Sequence, residues 1–242
     1  MNYFSIAKFF LYLTPLAVAI VTPSTLFPFI VGKYVWFRVS VDLAFIFFLL
    51  GFLFKNQQSM VFYQRLKNLW QKPLVIAVTV FTVVFLLACF FGVNPKMSFW
   101  SNFERGEGGF QILHLWLFFV LLTVLFKEEK DWRRLFAVAI GGGILMAFYG
   151  FLASLGQPGF IGLRFGVDGY RFQGSIGNPA YVASYVIFIF FYILYLLFAK
   201  YQKNIFAGGA VFLWFLLLFF LIVFWLAATR GAFVGLIAAI VF

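Results

Sequence analysis

Between Leu74 and Phe91 the chain runs for eighteen residues without a charged side chain. As a helix rising about 1.5 Å per residue, that run is about 27 Å long, close to the hydrocarbon thickness of a bilayer. Comparable runs follow Pro179 and Gly208, and others open the chain. Apolar residues make up 65% of the chain and charged residues 10%, so 242 residues could not hide their apolar surface from water. In hydrocarbon every backbone N–H and C=O must be satisfied within the protein, which leaves helices or closed barrels. Runs of this length predict an all-α, polytopic transmembrane helix bundle.

Seven complete spans can be drawn, at about 5–27, 35–54, 74–92, 110–126, 135–155, 179–199 and 205–227. An eighth begins near Gly231 and reaches only Phe242, about 18 Å as a helix. On this reading 1–242 is a single transmembrane helical domain, the N-terminal portion of something longer. Lys8 ahead of an apolar run resembles a signal peptide, but no small-x-small cleavage pattern follows, so the segment reads as a retained first span.

Basic residues alternate between the connections. Lys8, the 2–3 connection (Lys55, Arg65, Lys67, Lys72), the 4–5 connection (Lys127, Lys130, Arg133, Arg134) and the 6–7 connection (Lys200, Lys203) hold eleven. The other side holds six: Lys33, Lys96, Arg105, Arg164, Arg171 and Arg230. The positive-inside rule therefore puts the N-terminus in the cytoplasm. The net charge of +11 is scattered between spans rather than gathered on one face, which points to membrane lipids and away from nucleic acid. The single cysteine, Cys89, can form no internal disulfide.

Three outer stretches interrupt the apolar pattern. They are "NPKMSFWSNFERGEGGF" (94–110), "GLRFGVDGYRFQGSIGNPAYVASY" (162–185) and "ATRGAFVGL" (228–236). Each has a structural explanation. Arg105 lies between Glu104 and Glu107 as a salt-bridging loop residue would, and Arg164 and Arg171 could reach lipid phosphates. Asn178-Pro179 is a sound helix start, and Arg230 could complement the end of span 7. Taken together they suggest more. Outer arginines recur where spans open outward, and guanidinium forks suit a diphosphate. The helix start behind Asn178 adds backbone donors facing an anion. Beside them, Phe-rich helices would accommodate a lipid tail.

"FPFIVGKYVWFRVSVDLAF" (27–45), "SFWSNFERGEGGFQILHLWLFF" (98–119), "RFQGSIGNPAYVASYVIFIFF" (171–191) and "ATRGAFVGL" follow one another like the landmarks of the O-antigen ligase and polymerase-like family. The chain resembles these bacterial multi-span glycosyltransferases from about residue 15 onward. The resemblance implies a protein of the bacterial cytoplasmic (inner) membrane. It would transfer a glycan from an undecaprenyl-diphosphate carrier to an acceptor (lipid A core, a growing polysaccharide or a protein) at the outer face. It also implies no metal and no cofactor, with Arg171 and Arg230, and Arg105 beside them, holding the diphosphate. The family's large outer loop and C-terminal spans, where the acceptor-activating residue is thought to lie, are not matched. The catalytic base stays unassigned: Glu104, Glu107 and Asp168 are the only carboxylates on the outer side.

Two intramembrane features stand apart. Arg38 and Asp42 are four residues apart on span 2 and are expected to neutralise each other. His114, the only histidine, is expected to pack or hydrogen-bond within span 4. The competing classes are a membrane transporter of an anionic solute, which would need an inverted repeat and more mid-membrane polar residues, and a non-catalytic membrane scaffold.

Overall fold

The computed structural model describes residues 2–54, 58–102, 105–154, 171–201 and 207–241. Ten α-helices run through them: α1 (Tyr3–Leu13), α2 (Val31–Leu53), α3 (Ser59–Lys67), α4 (Pro73–Phe91), α5 (Pro95–Trp100), α6 (Gly109–Leu125), α7 (Glu129–Ser154), α8 (Pro179–Tyr201), α9 (Gly208–Ala227) and α10 (Arg230–Val241). Five of them, α2, α4, α7, α8 and α9, are long and apolar enough to cross a membrane; α1, α6 and α10 are shorter apolar helices. Large apolar side chains such as Phe81, Phe90, Phe91, Phe212, Phe215 and Trp225 stand exposed on α4 and α9. Contiguous apolar surface on that scale belongs against lipid rather than water. The chain is a helical, multi-pass membrane protein.

Two compact units divide it, one of Met1–Ala17 with Ser24–Trp132 and one of Val18–Pro23 with Arg133–Phe242. In the first, α1 lies along α2, and α2 and α4 both pack on α6. The expected first span, 5–27, is not one continuous α-helix. Pro15 has no N–H to give Leu11 O, so the regular helix stops at Leu13 and continues only as a 3₁₀ turn, Thr14–Ala19. Leu11 O accepts the Thr14 N–H together with Thr14 Oγ1 at 2.8 Å, and Trp36 Nε1 donates to Leu13 O at 2.8 Å. Pro23 and Pro28 follow before α2 begins.

One close approach in the first unit is at Gly51. Phe4, 1% exposed, inserts its ring against α2 beside Phe48, Phe52 and Phe62. A Cβ on Gly51 would stand 2.6 Å from Phe4 Cζ. The sequence pattern gave no helix in the connection after α2, yet α3 forms there. Its Phe62 joins the Phe4 cluster, and Ser59 Oγ donates to Gly51 O at 2.8 Å, closing the end of α2.

In the second unit the core is built between α7, α8 and α9, from Met146, Ala147, Phe172, Val182, Val186, Ile189, Phe220, Val223 and Phe224. Tyr185 Oη donates to Ala139 O at 3.0 Å, and Phe136 stacks on Tyr192 with ring centres 4.3 Å apart. The chain enters α8 and leaves α9 at the same end of this unit, because Phe172 N donates to Leu226 O at 2.9 Å.

Alanine normally beats glycine inside a helix by about 0.5–1 kcal/mol. At Gly51 the Phe4 ring reverses the sign, and Gly51→Ala is expected to lower stability by about 1–3 kcal/mol through overpacking. Thermal unfolding in detergent checks it. In a Phe4→Leu background the same substitution should become neutral or stabilising, and a higher melting temperature for Gly51→Ala alone would contradict the packing.

Candidate functional site

Ala227 is the last residue of α9, and Ala228 turns the chain with a left-handed φ of 46°. Carbonyls at such an end have no helical partner. Arg171 supplies donors: Nε to Ala227 O at 3.1 Å and Nη2 to Thr229 Oγ1 at 2.8 Å. Thr229 Oγ1 in turn donates to Ala227 O at 3.1 Å. A cation there also complements the negative end of the α9 dipole. Arg230 opens α10 directly after Thr229, and its side chain is exposed. Among the described residues Arg230 makes no hydrogen bond or ion pair.

The stretch after Arg171 is pressed into the second unit. Phe172 is 1% exposed and Ser175 0%, with Ser175 Oγ donating to Val18 O at 2.6 Å. Gly174 turns with φ 53°, and a Cβ on it would meet Met146 Sδ at 2.3 Å. Beneath it, a Cβ on Gly150 would stand 2.4 Å from Phe172 Cζ. Gly177, at φ 77°, then leads into Asn178, whose Oδ1 accepts from Ala180 N at 2.9 Å. Asn178 is therefore the N-cap of α8 with Pro179 in the first turn, the structural reading of that pair. Its side chain serves the helix start.

Arg171, Asn178 and Arg230 belong to the second unit and Arg105 to the first. Glu104, Arg164 and Asp168 lie outside the described residues. In the first unit Arg105 is neutralised. Its Nη2 donates to Glu107 Oε1 at 3.0 Å, and its Nε lies 2.9 Å from Glu107 Oε2 without hydrogen-bond alignment. Its guanidinium covers the Phe27 ring at 4.9 Å, and Tyr34 Oη donates to the same Glu107 Oε1 at 3.0 Å.

Next to this pair sits a polar group that sequence reasoning saw only in part. Arg38 and Asp42 do not bind each other. Arg38 Nε donates to Gln111 Oε1 at 2.8 Å, and Nη2 donates to Arg105 O at 3.1 Å and Gly106 O at 2.5 Å. Two carbonyls and an amide thus take the guanidinium that the expected ion pair would have used. Gly106, at φ 58°, lets the backbone come this close, since a Cβ there would stand 2.9 Å from Arg38 Nη1. Asp42 Oδ1 instead faces His114 Nε2 at 3.3 Å, while His114 Nδ1 contacts Phe110 O at 2.7 Å. His114, 8% exposed, packs and hydrogen-bonds as expected. Gln111, the amide in an apolar run, was the available signal for this cluster, and it went unread.

Chemically, the second unit offers a guanidinium tied at one edge (Arg171) and one with no partner among the described residues (Arg230) beside the start of α10. No group of three or more His, Cys, Asp or Glu side chains that could hold a metal ion occurs among the described residues. Compared with models of protein families, with curated proteins and with solved structures, the chain finds no match.

The two arginines should separate in a stability measurement. Arg171→Ala strips donors from a closed helix end and should cost about 1–3 kcal/mol. Arg230→Ala, at an exposed position, should change stability by less than about 0.5 kcal/mol. Unfolding of both variants in detergent checks this, and equal losses would contradict the division.

Proposed function

We propose that the chain is a glycosyltransferase of the O-antigen ligase and polymerase type, or the donor-binding portion of one. It would act at the outer face of a bacterial cytoplasmic membrane, with seven spans, the start of an eighth and a cytoplasmic N-terminus. What carries the reading is Arg230: an exposed guanidinium without a partner among the described residues, one residue from the Thr229 that Arg171 holds. It stands within a landmark stretch, "ATRGAFVGL", that resembles the family.

The chemistry would run as follows. A hydroxyl or other nucleophile of the acceptor attacks the anomeric carbon of the carrier-linked glycan, and the bond from that carbon to the carrier phosphate oxygen breaks. Undecaprenyl diphosphate leaves with the negative charge that develops on that oxygen. Arg230 would bind the diphosphate and stabilise the charge, an electrostatic role worth several kcal/mol in a water-poor site. Arg171 would fix the corner from which Arg230 projects and offer its remaining N–H groups. The acceptor's proton passes to a base for which Glu104 and Asp168 are the candidates. Glu107 is already held by Arg105 and Tyr34.

The polar group in the first unit favours a second reading, a transporter of an anionic solute, since it sets Arg38, Gln111, Asp42 and His114 among apolar helices. Arg38 already gives its N–H groups to Gln111 and two carbonyls, which counts against it as a solute ligand.

Binding of undecaprenyl diphosphate to the detergent-purified protein tests the enzyme reading. Native mass spectrometry should show Arg230→Ala weakening it about tenfold or more, as for loss of a charge-assisted hydrogen bond. Undecaprenyl monophosphate should be affected less. Unchanged diphosphate binding in a folded Arg230→Ala variant would refute the role.

A further inference from the structure

Just past the end of α4 the first unit carries a cavity of about 710 Å³, lined by Asn94, Lys96, Met97, Trp100, Ser101 and Asn102. The backbone that forms it is tightly folded. α5 packs against both α4 and α6, and the Trp100 ring lies 4.8 Å from that of Phe110 at the start of α6. A Cβ on Gly108 would clash with Ser98 O, so only glycine lets the two backbones come so close. Ser101 then turns the chain at φ 57° and ψ −149°, a region that residues with side chains rarely occupy. Strained residues of this kind gather at ligand sites, and this one lines the cavity.

The polar groups of the lining offer mainly donors. Lys96 and Trp100 are four residues apart on α5 and so share a face of it. The Lys96 ammonium, the Trp100 indole N–H and the Ser101 hydroxyl have no hydrogen-bond or ion-pair partner among the described residues. Asn94 Oδ1 already accepts from Met97 N at 3.0 Å, which leaves that side chain its amide N–H groups to offer. No carboxylate stands among the described lining residues, and Glu107, further along the chain, is held by Arg105 and Tyr34. Donors gathered around one cation complement an anion with several acceptor oxygens. The apolar surroundings identify the source of that anion. Met97 is exposed beside Lys96, and Phe90, Phe91 and Val93 stand exposed on the stretch that leads into it from α4. A lysine and an indole at the end of a membrane-spanning helix, next to side chains that meet acyl chains, are placed for a lipid headgroup.

We propose that this cavity seats the headgroup of one anionic phospholipid. Its phosphate takes the Lys96 ammonium and the Trp100 N–H, and its remaining oxygens face Asn94 and Ser101. Its acyl chains leave along Met97 and the exposed phenylalanines of α4. The site lies within the first unit and does not rest on the enzymatic reading.

The full chain in detergent is tested with phosphatidylglycerol, phosphatidylcholine and glycerol 3-phosphate as probes. Native mass spectrometry should show one phosphatidylglycerol held more tightly than phosphatidylcholine, for whose choline the described lining offers no anion. Lys96→Gln should weaken phosphatidylglycerol about tenfold, as for loss of a charge-assisted hydrogen bond, and erase the preference. Trp100→Phe keeps a ring and removes the N–H, and should weaken it about threefold. Lys130→Gln, outside the cavity, should leave the affinity unchanged. Photoreactive phosphatidylglycerol should label the 94–102 segment in the parent and much less in Lys96→Gln. Equal phosphatidylglycerol affinity in the parent and a folded Lys96→Gln variant, or labelling confined to other segments, would overturn the site. An equal loss on Lys130→Gln would overturn it in favour of diffuse surface charge. Displacement of the lipid by equimolar glycerol 3-phosphate would overturn the lipid as occupant, because the acyl chains would then contribute nothing.

Discussion

Within hydrocarbon a broken helix cannot leave its carbonyls to water, so each interruption needs a donor from elsewhere in the protein. That constraint organises the structure. Thr14 and Trp36 close the break made by Pro15, Ser59 closes the end of α2, and Arg65 reaches an end carbonyl of α6. Arg171 and Thr229 close α9. Arg38 does the same for the backbone ahead of α6, donating to the carbonyls of Arg105 and Gly106.

Four arginines among the described residues are thereby accounted for. Arg38, Arg65 and Arg171 donate to main-chain carbonyls, and Arg105 is held by Glu107. Of the outer arginines among the described residues, Arg105 and Arg171 are structural ties, and Arg230 has no hydrogen-bond or ion-pair partner there. On the proposed reading the ligand role falls to Arg230, because a guanidinium already bound at one edge by protein has fewer N–H groups for a phosphate. Arg171 acts through position: it fixes the corner between α9 and α10 from which Arg230 emerges.

The long helices were legible because uninterrupted apolar runs leave the chain one way to satisfy its backbone. The expected 74–92 and 179–199 correspond to Pro73–Phe91 and Pro179–Tyr201, each started by a proline that needs no N–H partner. The first segment was not legible as it stands. Its apolar run continues past Pro15, and hydropathy does not register a missing N–H. Helices α3 and α5 were also missed: nine and six residues of mixed character form no long apolar run, and they gain their shape from tertiary contacts such as Phe62 on Phe4. At the site, the helix start at Asn178 was readable from two letters. The partners of Arg38 and Arg171 were not, because backbone carbonyls carry no sequence signal. The Arg38 and Asp42 pairing failed for that reason: spacing put them on one face, and carbonyls from 105 and 106 offered Arg38 closer partners.

Direct contact between Arg230 and a diphosphate is measurable as ¹⁵N–³¹P dipolar coupling, with guanidinium-labelled protein and undecaprenyl diphosphate in a phosphorus-free detergent. An arginine resonance dephased by phosphorus in the parent, and lost in Arg230→Lys, is the expected result. Dephasing that survives Arg230→Lys unchanged, or that never arises although the lipid is bound, would contradict the assignment of the diphosphate to this corner.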